Sequence, residues 1–362
     1  MAQTPLLFQK IAFRSVEARN RIVVSPMCQY SAIDGLGQDW HLQHLGAKAM
    51  GGAGIVFTEA THVSAIGRIT PHCLGLWNDE HEAFLTRIAA LIASGGAVPG
   101  IQIAHAGRKA STLPPWIGDG FLRPDEPGGW LPVAPSAIPY APGRPAPHAL
   151  SADEIAGIAR EFAATAARAR RAGFRIVELH AAHGYLIHEF LSPVANRRED
   201  RYGGDLAGRA RVLMETIDAV RGEWPGDLPL FVRLSCTDWV PGGLTIDDTA
   251  LLARWLKARG DVDLVDCSSG GVDPGQKIPS IHPGYQTPFA ERIRNEAGIA
   301  TGAVGMIREP EHAAEILANG RADLVFLARA LLADPAWPLR AARSLGVEVE
   351  WPPQYRRGVL TG

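Results

Sequence analysis

Cysteine is scarce in this sequence, and no two cysteines stand close together. The chain has four, at Cys28, Cys73, Cys236 and Cys267, and no Cys-x-x-Cys pair. Clustered thiolates are the usual ligands of iron–sulfur clusters and structural zinc, and paired cysteines form the disulfide framework of small secreted domains. The spacing therefore argues against all three kinds of site.

An excess of charge and a long apolar run are missing as well. The formal net charge is -2 over 362 residues, so neither nucleic acid nor an anionic membrane is an expected partner. The longest uncharged stretch, 88–104, contains Gly95, Gly96, Pro99 and Gly100, which is typical of a helix end, a turn and a strand. The first residues lack the apolar region of a signal peptide, so we expect a cytoplasmic protein.

Short apolar runs recur along the chain, each followed by a segment with helical periodicity. Helices are predicted between the runs, with Asn78 and Ser151 as N-caps of two of them. Eight runs have the length of buried strands: 21–26, 54–59, 98–104, 176–179, 229–235, 262–267, 299–304 and 323–327.

Eight strands alternating with helices predict an α/β fold, a single-domain (β/α)8 TIM barrel covering 1–362. No Gly-x-Gly-x-x-Gly follows the first strand, which disfavours an open dinucleotide-binding sheet. Three segments account for the residues beyond a typical barrel: an N-terminal hairpin before residue 21, a proline- and glycine-rich insertion at 111–149 after strand three, and a C-terminal tail at 351–362. We expect the insertion to be an ordered lid, because Trp116 and Trp130 need packing partners.

The stretch that follows the fourth strand carries the most suggestive chemistry. His180, His183 and Tyr185 are separated by Ala181, Ala182 and Gly184, which leave room for all three side chains to share one space. Two neutral imidazoles donating to one oxygen, with a phenol nearby, would polarise a carbonyl and protonate the adjacent carbon. The alternatives are histidines satisfied within the core, or a metal site with Glu59 as a third ligand.

Other polar residues also follow predicted strands. In a barrel of this kind the active site lies at the carboxyl ends of the strands. The residues that belong to this edge are Ser25, Cys28, Glu59, Gln102, Arg233, Ser268 and Arg329. Their convergence favours the catalytic interpretation of the histidine pair.

The ends of strands seven and eight are suited to a phosphate. Gly305 and the pair Ala328–Arg329 each precede a helix, where backbone N–H groups and a guanidinium bind anions. Alternatively, the glycine only closes a turn and Arg329 pairs with a surface carboxylate.

A phosphate cradle with Arg233 on strand five suits FMN, because reduced flavin carries a negative charge that Arg233 would offset. The alternative for Arg233 is a buried ion pair with Glu178 or Asp266. Cys28 is either an inert buried thiol or a modulator beside the cofactor.

Seven motifs, in this order, resemble those of the Old Yellow Enzymes, which are flavin-dependent ene reductases. The motifs are SPMCQYSA (25–32), GIQIAHAGRK (100–109), ELHAAHGYLIHEFLSPVANRREDRYGG (178–204), FVRLS (231–235), TGAVGMI (301–307), RADLVFLARALLADP (321–335) and QYRRG (354–358). The similarity covers essentially the whole chain. It is greatest to the bacterial branch of xenobiotic reductases and thermophilic-type enzymes.

The resemblance implies a barrel with tightly but non-covalently bound FMN, and NADPH or NADH as the reductant. The residues that would bind FMN are Ser25, Pro26, Met27 and Cys28 along the flavin, Ala60 and Gln102 at its pyrimidine side, Arg233 at N1 and C2, and Gly305, Ala328 and Arg329 at the phosphate, with Ser268 nearby. Cys28 would tune the redox potential. Ala328 stands where many relatives have glycine, which costs nothing if its φ is negative.

The resemblance also implies the substrate and the assembly. The substrate would be an α,β-unsaturated carbonyl compound, with nitro compounds as a further class. His180 and His183 would bind its oxygen, Tyr185 would donate a proton, and Tyr30 would line the pocket. Arg357 would reach the site of a neighbouring subunit in a homodimer or homotetramer. Two alternatives remain: a metal-dependent barrel lyase or aldolase, and another kind of FMN barrel reductase.

Overall fold

Eight parallel strands close into a barrel in a computed structural model that describes residues 4–118 and 120–358. Neighbours around the barrel are neighbours in the chain, and β8 pairs with β1 to close it. The strands are β1 (Ile22–Val24), β2 (Ile55–His62), β3 (Val98–Ala104), β4 (Ile176–Ala181), β5 (Leu230–Ser235), β6 (Leu264–Ser268), β7 (Ala300–Ala303) and β8 (Leu324–Leu327). The predicted (β/α)8 architecture is confirmed.

The helices lie between the strands. They are α1 (Asp39–Met50), α2 (Asp79–Ser94), α3 (Ala152–Arg171), α4 (Leu186–Leu191), α5 (Leu206–Glu223), α6 (Ile246–Arg259), α7 (Thr287–Ala297), α8 (Pro310–Ala318), α9 (Arg329–Ala333) and α10 (Trp337–Ser344). Asn78 and Ser151 cap α2 and α3 as predicted, each accepting a backbone N–H of the first turn. In the described ranges no helix is both long and apolar enough to cross a bilayer.

The amino end of the barrel is apolar and closed by the hairpin. Its strands, Ile11–Phe13 and Val16–Ala18, pair antiparallel. The ring of Phe13 meets that of Phe231 edge to face at 5.1 Å, and Phe231 in turn lies 6.2 Å from Phe57. The polar side chains inside the barrel therefore lie toward the carboxyl ends of the strands.

The insertion packs over the carboxyl end of the barrel. Its Trp130 has the partners we expected: the indole N–H donates to the Ile66 carbonyl at 2.8 Å, and the Arg68 guanidinium lies 5.3 Å from the ring. Trp116 does not, because its side chain is 67% exposed and meets Tyr30 only edge to face at 5.6 Å. The expectation that both indoles are packed is therefore wrong for Trp116.

Candidate active site

The turn after β4 is built so that His180, His183 and Tyr185 meet. His180 is 3% exposed, and its Nδ1 accepts the Ala182 N–H at 3.2 Å. The proton of the neutral ring is therefore on Nε2, which has no partner in the described chain and is free to donate. His183 (φ 60°) and Gly184 (φ 73°) are both left-handed, which folds the turn back over the strand end. The His180 ring lies 5.1 Å from that of His183 and 4.9 Å from that of Tyr185.

Two neighbouring strands hold this turn in place. The His183 N–H donates to Ser235 Oγ at 2.9 Å, and that hydroxyl donates to the Gly270 carbonyl at 2.8 Å. From the other side, His188 in α4 accepts the Gly184 N–H at 2.8 Å and bonds to Asp238 at 2.9 Å. Neither Asp238 nor helix α4 was predicted from the sequence, because the six residues of α4 are buried all round and show no amphipathic period.

Burial sets the protonation of the three rings. It lowers the pKa of both His180 and His183 well below the ordinary value, and the nearby Arg233 charge lowers them further. Burial is also the main cause that raises the pKa of the Tyr185 phenol well above its ordinary value, and the neighbouring Cys28 and Tyr30 raise it further. At neutral pH the site thus presents two uncharged imidazoles and a protonated phenol.

Ser268 lies at the end of β6 beside the histidines. Its Oγ is 2.6 Å from His183 Nε2, so one nitrogen of that ring is engaged and Nδ1 is left for a ligand. The sequence had placed Ser268 near the phosphate. The following residue, Ser269, lies nearer the predicted phosphate position, because its hydroxyl donates to the Gln286 side chain at 2.5 Å.

The segment after β1 lies across the site from the histidine turn. Glu59 holds it, accepting the Gln29 N–H at 3.2 Å while its other oxygen lies 3.1 Å from His41 Nε2. Glu59 is therefore engaged on the side of β1 and does not join the histidines. The ligand set considered for a metal, His180 and His183 with Glu59, is therefore not brought together, and in the described ranges no three His, Cys, Asp or Glu side chains are grouped to hold one.

Cys28 and Tyr30 come from the same segment and meet Tyr185. All three pack against a small apolar cluster formed by Ile69, Cys73, Ala106 and Ala110. Burial is the main cause that raises the pKa of the Cys28 thiol and of Tyr30, so both are uncharged. Ser25, at the end of β1, is buried, and Pro26 and Met27 are partly exposed toward the same opening.

Polar side chains fill the barrel beneath the histidines. Gln102 on β3 lies beside Ala60 on β2, and its amide donates to Glu178 at 2.8 Å. Arg233 Nε lies 3.0 Å from Asp266 Oδ2, so the ion pair considered as an alternative is present. The terminal nitrogens of Arg233 have no hydrogen-bond partner in the described chain, and can still bind a ligand. Burial raises the pKa of Glu178 to about 8; the Asp266 charge adds to this, and the Arg233 charge opposes it.

A small cavity of about 90 Å³ lies where the phosphate was predicted. It is lined by Tyr285, Gln286, Val304, Gly305, Met306, Ile307, Arg308, Phe326, Ala328, Arg329 and Ala330. Gly305 has φ 124°, a conformation that favours glycine, and Ala328 has φ -112°, so alanine there costs no strain. Arg308, which the sequence did not single out, adds a second guanidinium. Two cations and the free N–H groups at the start of α9 fit the phosphate of FMN.

Arg357 lies outside this site in its own chain. It is exposed, on a 3-10 turn at Pro353–Gly358. The neighbouring tail residues Trp351 and Arg356 line a groove of about 700 Å³ along α10.

Comparison with known proteins agrees with this geometry. Residues 6–348 match the NADH:flavin oxidoreductase / NADH oxidase family. An NADPH dehydrogenase of Geobacillus thermodenitrificans (strain NG80-2) is 48% identical over 355 residues, covering 98% of this chain and 98% of that protein. An NADPH dehydrogenase of Listeria innocua serovar 6a (strain ATCC BAA-680 / CLIP 11262) is 46% identical over 353 residues, covering 97% and 98%.

Solved structures show the same likeness. Morphinone reductase superposes with a TM-score of 0.79 at 28% identity, covering 97% of this chain and 93% of that one. A 2-naphthoyl-CoA reductase complex gives 0.84 at 26% identity over 94% of this chain, which spans only 52% of the length of that protein. The chain belongs to the NADH:flavin oxidoreductase / NADH oxidase family, the Old Yellow Enzyme family, and is an FMN-dependent oxidoreductase that takes its electrons from NADPH or NADH.

Proposed function

We propose that this protein reduces the C=C bond of α,β-unsaturated carbonyl compounds in a ping-pong reaction, and that it accepts nitro compounds as a further class. The observation that supports this is the meeting of two uncharged imidazole donors and a protonated phenol in one site. Bound FMN would supply the hydride-transfer chemistry between NADPH or NADH and the β-carbon of the substrate.

In this proposal His180 and His183 bind the carbonyl oxygen. The free Nε2–H of His180 and the Nδ1 side of His183, whose Nε2 is held by Ser268, supply the two donors. Both imidazoles are neutral at neutral pH, and each still has one N–H that can donate to the growing negative charge on the oxygen. Tyr30 would form the outer wall of the substrate pocket.

Tyr185 would supply the proton to the α-carbon. Its raised pKa keeps the phenol protonated, so it is a competent acid over the whole neutral range. Cys28, on the same apolar cluster, would lie beside the flavin and influence its potential as an uncharged thiol.

The remaining residues would hold the cofactor. Gln102 and Arg233 keep unpaired donors or acceptors facing the barrel opening, and the cavity at Gly305 suits the phosphate. We assign to FMN binding Ser25, Pro26, Met27, Cys28, Ala60, Gln102, Arg233, Gly305, Ala328 and Arg329. Ser268 acts instead through His183.

The direct test is anaerobic. The purified protein should be yellow, lose its flavin absorption on NADPH, and regain it on 2-cyclohexenone but not on cyclohexanone, which lacks the C=C bond. Recovery of colour with the saturated ketone, or with neither, contradicts the proposal. A nitro compound tested in the same way decides the second substrate class.

Replacing both His180 and His183 with alanine should weaken binding of a phenol such as 4-nitrophenol to the oxidised enzyme by about 100-fold, because two donors to one oxygen are lost. Binding is measured by absorbance titration of the flavin. The control is His148→Ala, an exposed histidine that pairs with Glu154 away from the site. Unchanged phenol binding in the double variant would remove the histidines from the oxygen site.

We also propose that the active form is at least a dimer, in which Arg357 completes the site of the neighbour. The support is that Arg357 is exposed and that its neighbours on the turn line a groove along α10 and not the cavity at Gly305. Arg357→Ala should raise KM for the enone while FMN content stays unchanged, and Arg356→Ala, on the same turn, is the control. A monomer in sedimentation equilibrium contradicts the assignment.

A further inference from the structure

The ammonium group of Lys109 lies against the turn that carries His183 and Tyr185. Its Nζ donates to the His183 carbonyl at 2.8 Å and to the Gly271 carbonyl at 3.0 Å. These carbonyls belong to the loops after β4 and β6, and Lys109 follows β3. One ammonium group thus joins three loops, and one of its contacts fixes the backbone of the left-handed residue His183.

The same ammonium lies between two aromatic rings. Its nitrogen is 5.1 Å from the ring centre of Tyr185 and 5.0 Å from that of Tyr140, a residue of the insertion. The Arg144 guanidinium lies 5.2 Å from the Tyr140 ring. At these distances a cation is attracted to the ring face, and more strongly where water is excluded.

Charged and titratable groups surround Lys109 on every side. Burial lowers the pKa of Lys109 to about 8; Glu189 on α4 opposes this, and Arg144 and Arg108 add to it. Burial also raises the pKa of Glu189 to about 8. On the side of the site, the ammonium faces the rings of His180, His183 and Tyr185, and its charge contributes to lowering the pKa of both imidazoles. The cation is therefore present at neutral pH and lost progressively above about pH 8.

We propose that Lys109 is a positioning residue for the proton transfer: it fixes the turn that carries His183 and Tyr185, and its charge on the ring face stabilises the phenolate of Tyr185. The proposal rests on the role of Tyr185 given above. In that step the O–H bond of Tyr185 breaks, a C–H bond forms at the substrate α-carbon, and the electron pair of the O–H bond stays on the phenolate oxygen. A cation beside the ring stabilises the negative charge that develops on the phenolate in this step.

The insertion takes part through Tyr140. Because the Tyr140 ring lies 5.0 Å from the ammonium, it helps to keep water away from it. Tyr140→Phe keeps this ring and serves as the matched control, whereas Tyr140→Leu removes it. The insertion would thus influence the acid step without touching substrate.

The test compares Lys109→Met with Lys109→Arg in the FMN-loaded enzyme. Reoxidation of the reduced enzyme by 2-cyclohexenone is followed by stopped flow from pH 6 to pH 9, a range in which Tyr185 stays protonated while the charge of Lys109 is lost. At pH 7, Lys109→Met should slow this reoxidation about tenfold, with reduction by NADPH within about twofold. In the wild type the enone step should slow above about pH 8, and this dependence should vanish in Lys109→Met. Lys109→Arg keeps the cation and should restore most of the rate at pH 7, and because a guanidinium stays charged its rate should not fall above about pH 8.

The outcomes separate the two proposals. If Tyr185→Phe leaves the enone step unchanged, the role of Tyr185 fails, whatever Lys109 does. If Tyr185→Phe slows that step but Lys109→Met changes neither its rate at pH 7 nor its pH profile, Lys109 has no such role. Should Lys109→Met not fold, Tyr140→Leu against Tyr140→Phe decides in its place. Loss of the ring exposes the ammonium to water and raises its pKa, so the pH above which the enone step slows should move upward only in the leucine variant. The same pH profile in both variants overturns the proposal.

Discussion

Tyr185→Phe is expected to slow oxidation of the NADPH-reduced enzyme by an enone by about 100-fold or more, the usual contribution of a positioned general acid. Reduction of the enzyme by NADPH should change by no more than about twofold, because no proton from Tyr185 is needed in that half-reaction. Stopped-flow absorbance of the flavin under anaerobic conditions measures each half-reaction by itself.

The substitution is selective because the ring stays. Phenylalanine keeps the edge-to-face contact with His180 at 4.9 Å and the face that Lys109 approaches at 5.1 Å, so only the hydroxyl is lost. Tyr202→Phe is the control, since it removes a hydroxyl from a buried tyrosine that donates to Glu215 on α5. Equal losses in the two half-reactions would show that the hydroxyl serves structure or binding and not proton transfer.

Much of the fold follows from local sequence because the barrel strands are short, apolar and separated by amphipathic helices. The run predicted at 98–104 coincides with β3, and the N-caps Asn78 and Ser151 lie where their helices begin. Helix α4 was missed because it is short and buried on every side, so it has neither an exposed face nor a period.

The site was predictable to the extent that it lies at strand ends. His180 belongs to β4 itself, and its neighbours His183 and Tyr185 follow within one turn. Ser268 contacts His183, which is 85 residues away in the chain. Lys109 donates to the Gly271 carbonyl, which is 162 residues away. No local pattern contains such pairs, since they depend on a left-handed turn and on how three loops pack at one end of the barrel.

Glycine at position 184 should be the least replaceable residue of that turn. Its φ is 73°, and a Cβ there would lie 2.1 Å from the Gly271 carbonyl oxygen and 2.7 Å from Val272 Cα. Both are backbone atoms, which cannot rotate away as a flexible side chain would. Alanine must therefore push the turn after β4 away from the loop after β6.

Gly204 supplies the matched control. Its φ is 76°, and a Cβ there would meet nothing within 4 Å. Gly204→Ala should cost only the left-handed conformation, about 1 kcal/mol, whereas Gly184→Ala should cost about 3 kcal/mol or more. The difference is measured as the loss of thermal stability of the FMN-loaded protein.

Gly184→Ala should also reduce the enone half-reaction by about 100-fold, because displacing catalytic groups by about 1 Å has an effect of that size. The displaced groups would be His183 and Tyr185, which flank the glycine. Gly204→Ala should leave this rate unchanged, since residue 204 lies in the loop before α5 and away from the histidines. If the two alanine variants lose equal stability, the positive φ is the whole cost and the loops after β4 and β6 do not constrain each other. A loss of stability in Gly184→Ala without a loss of rate would instead separate the packing of the turn from the placement of its catalytic rings.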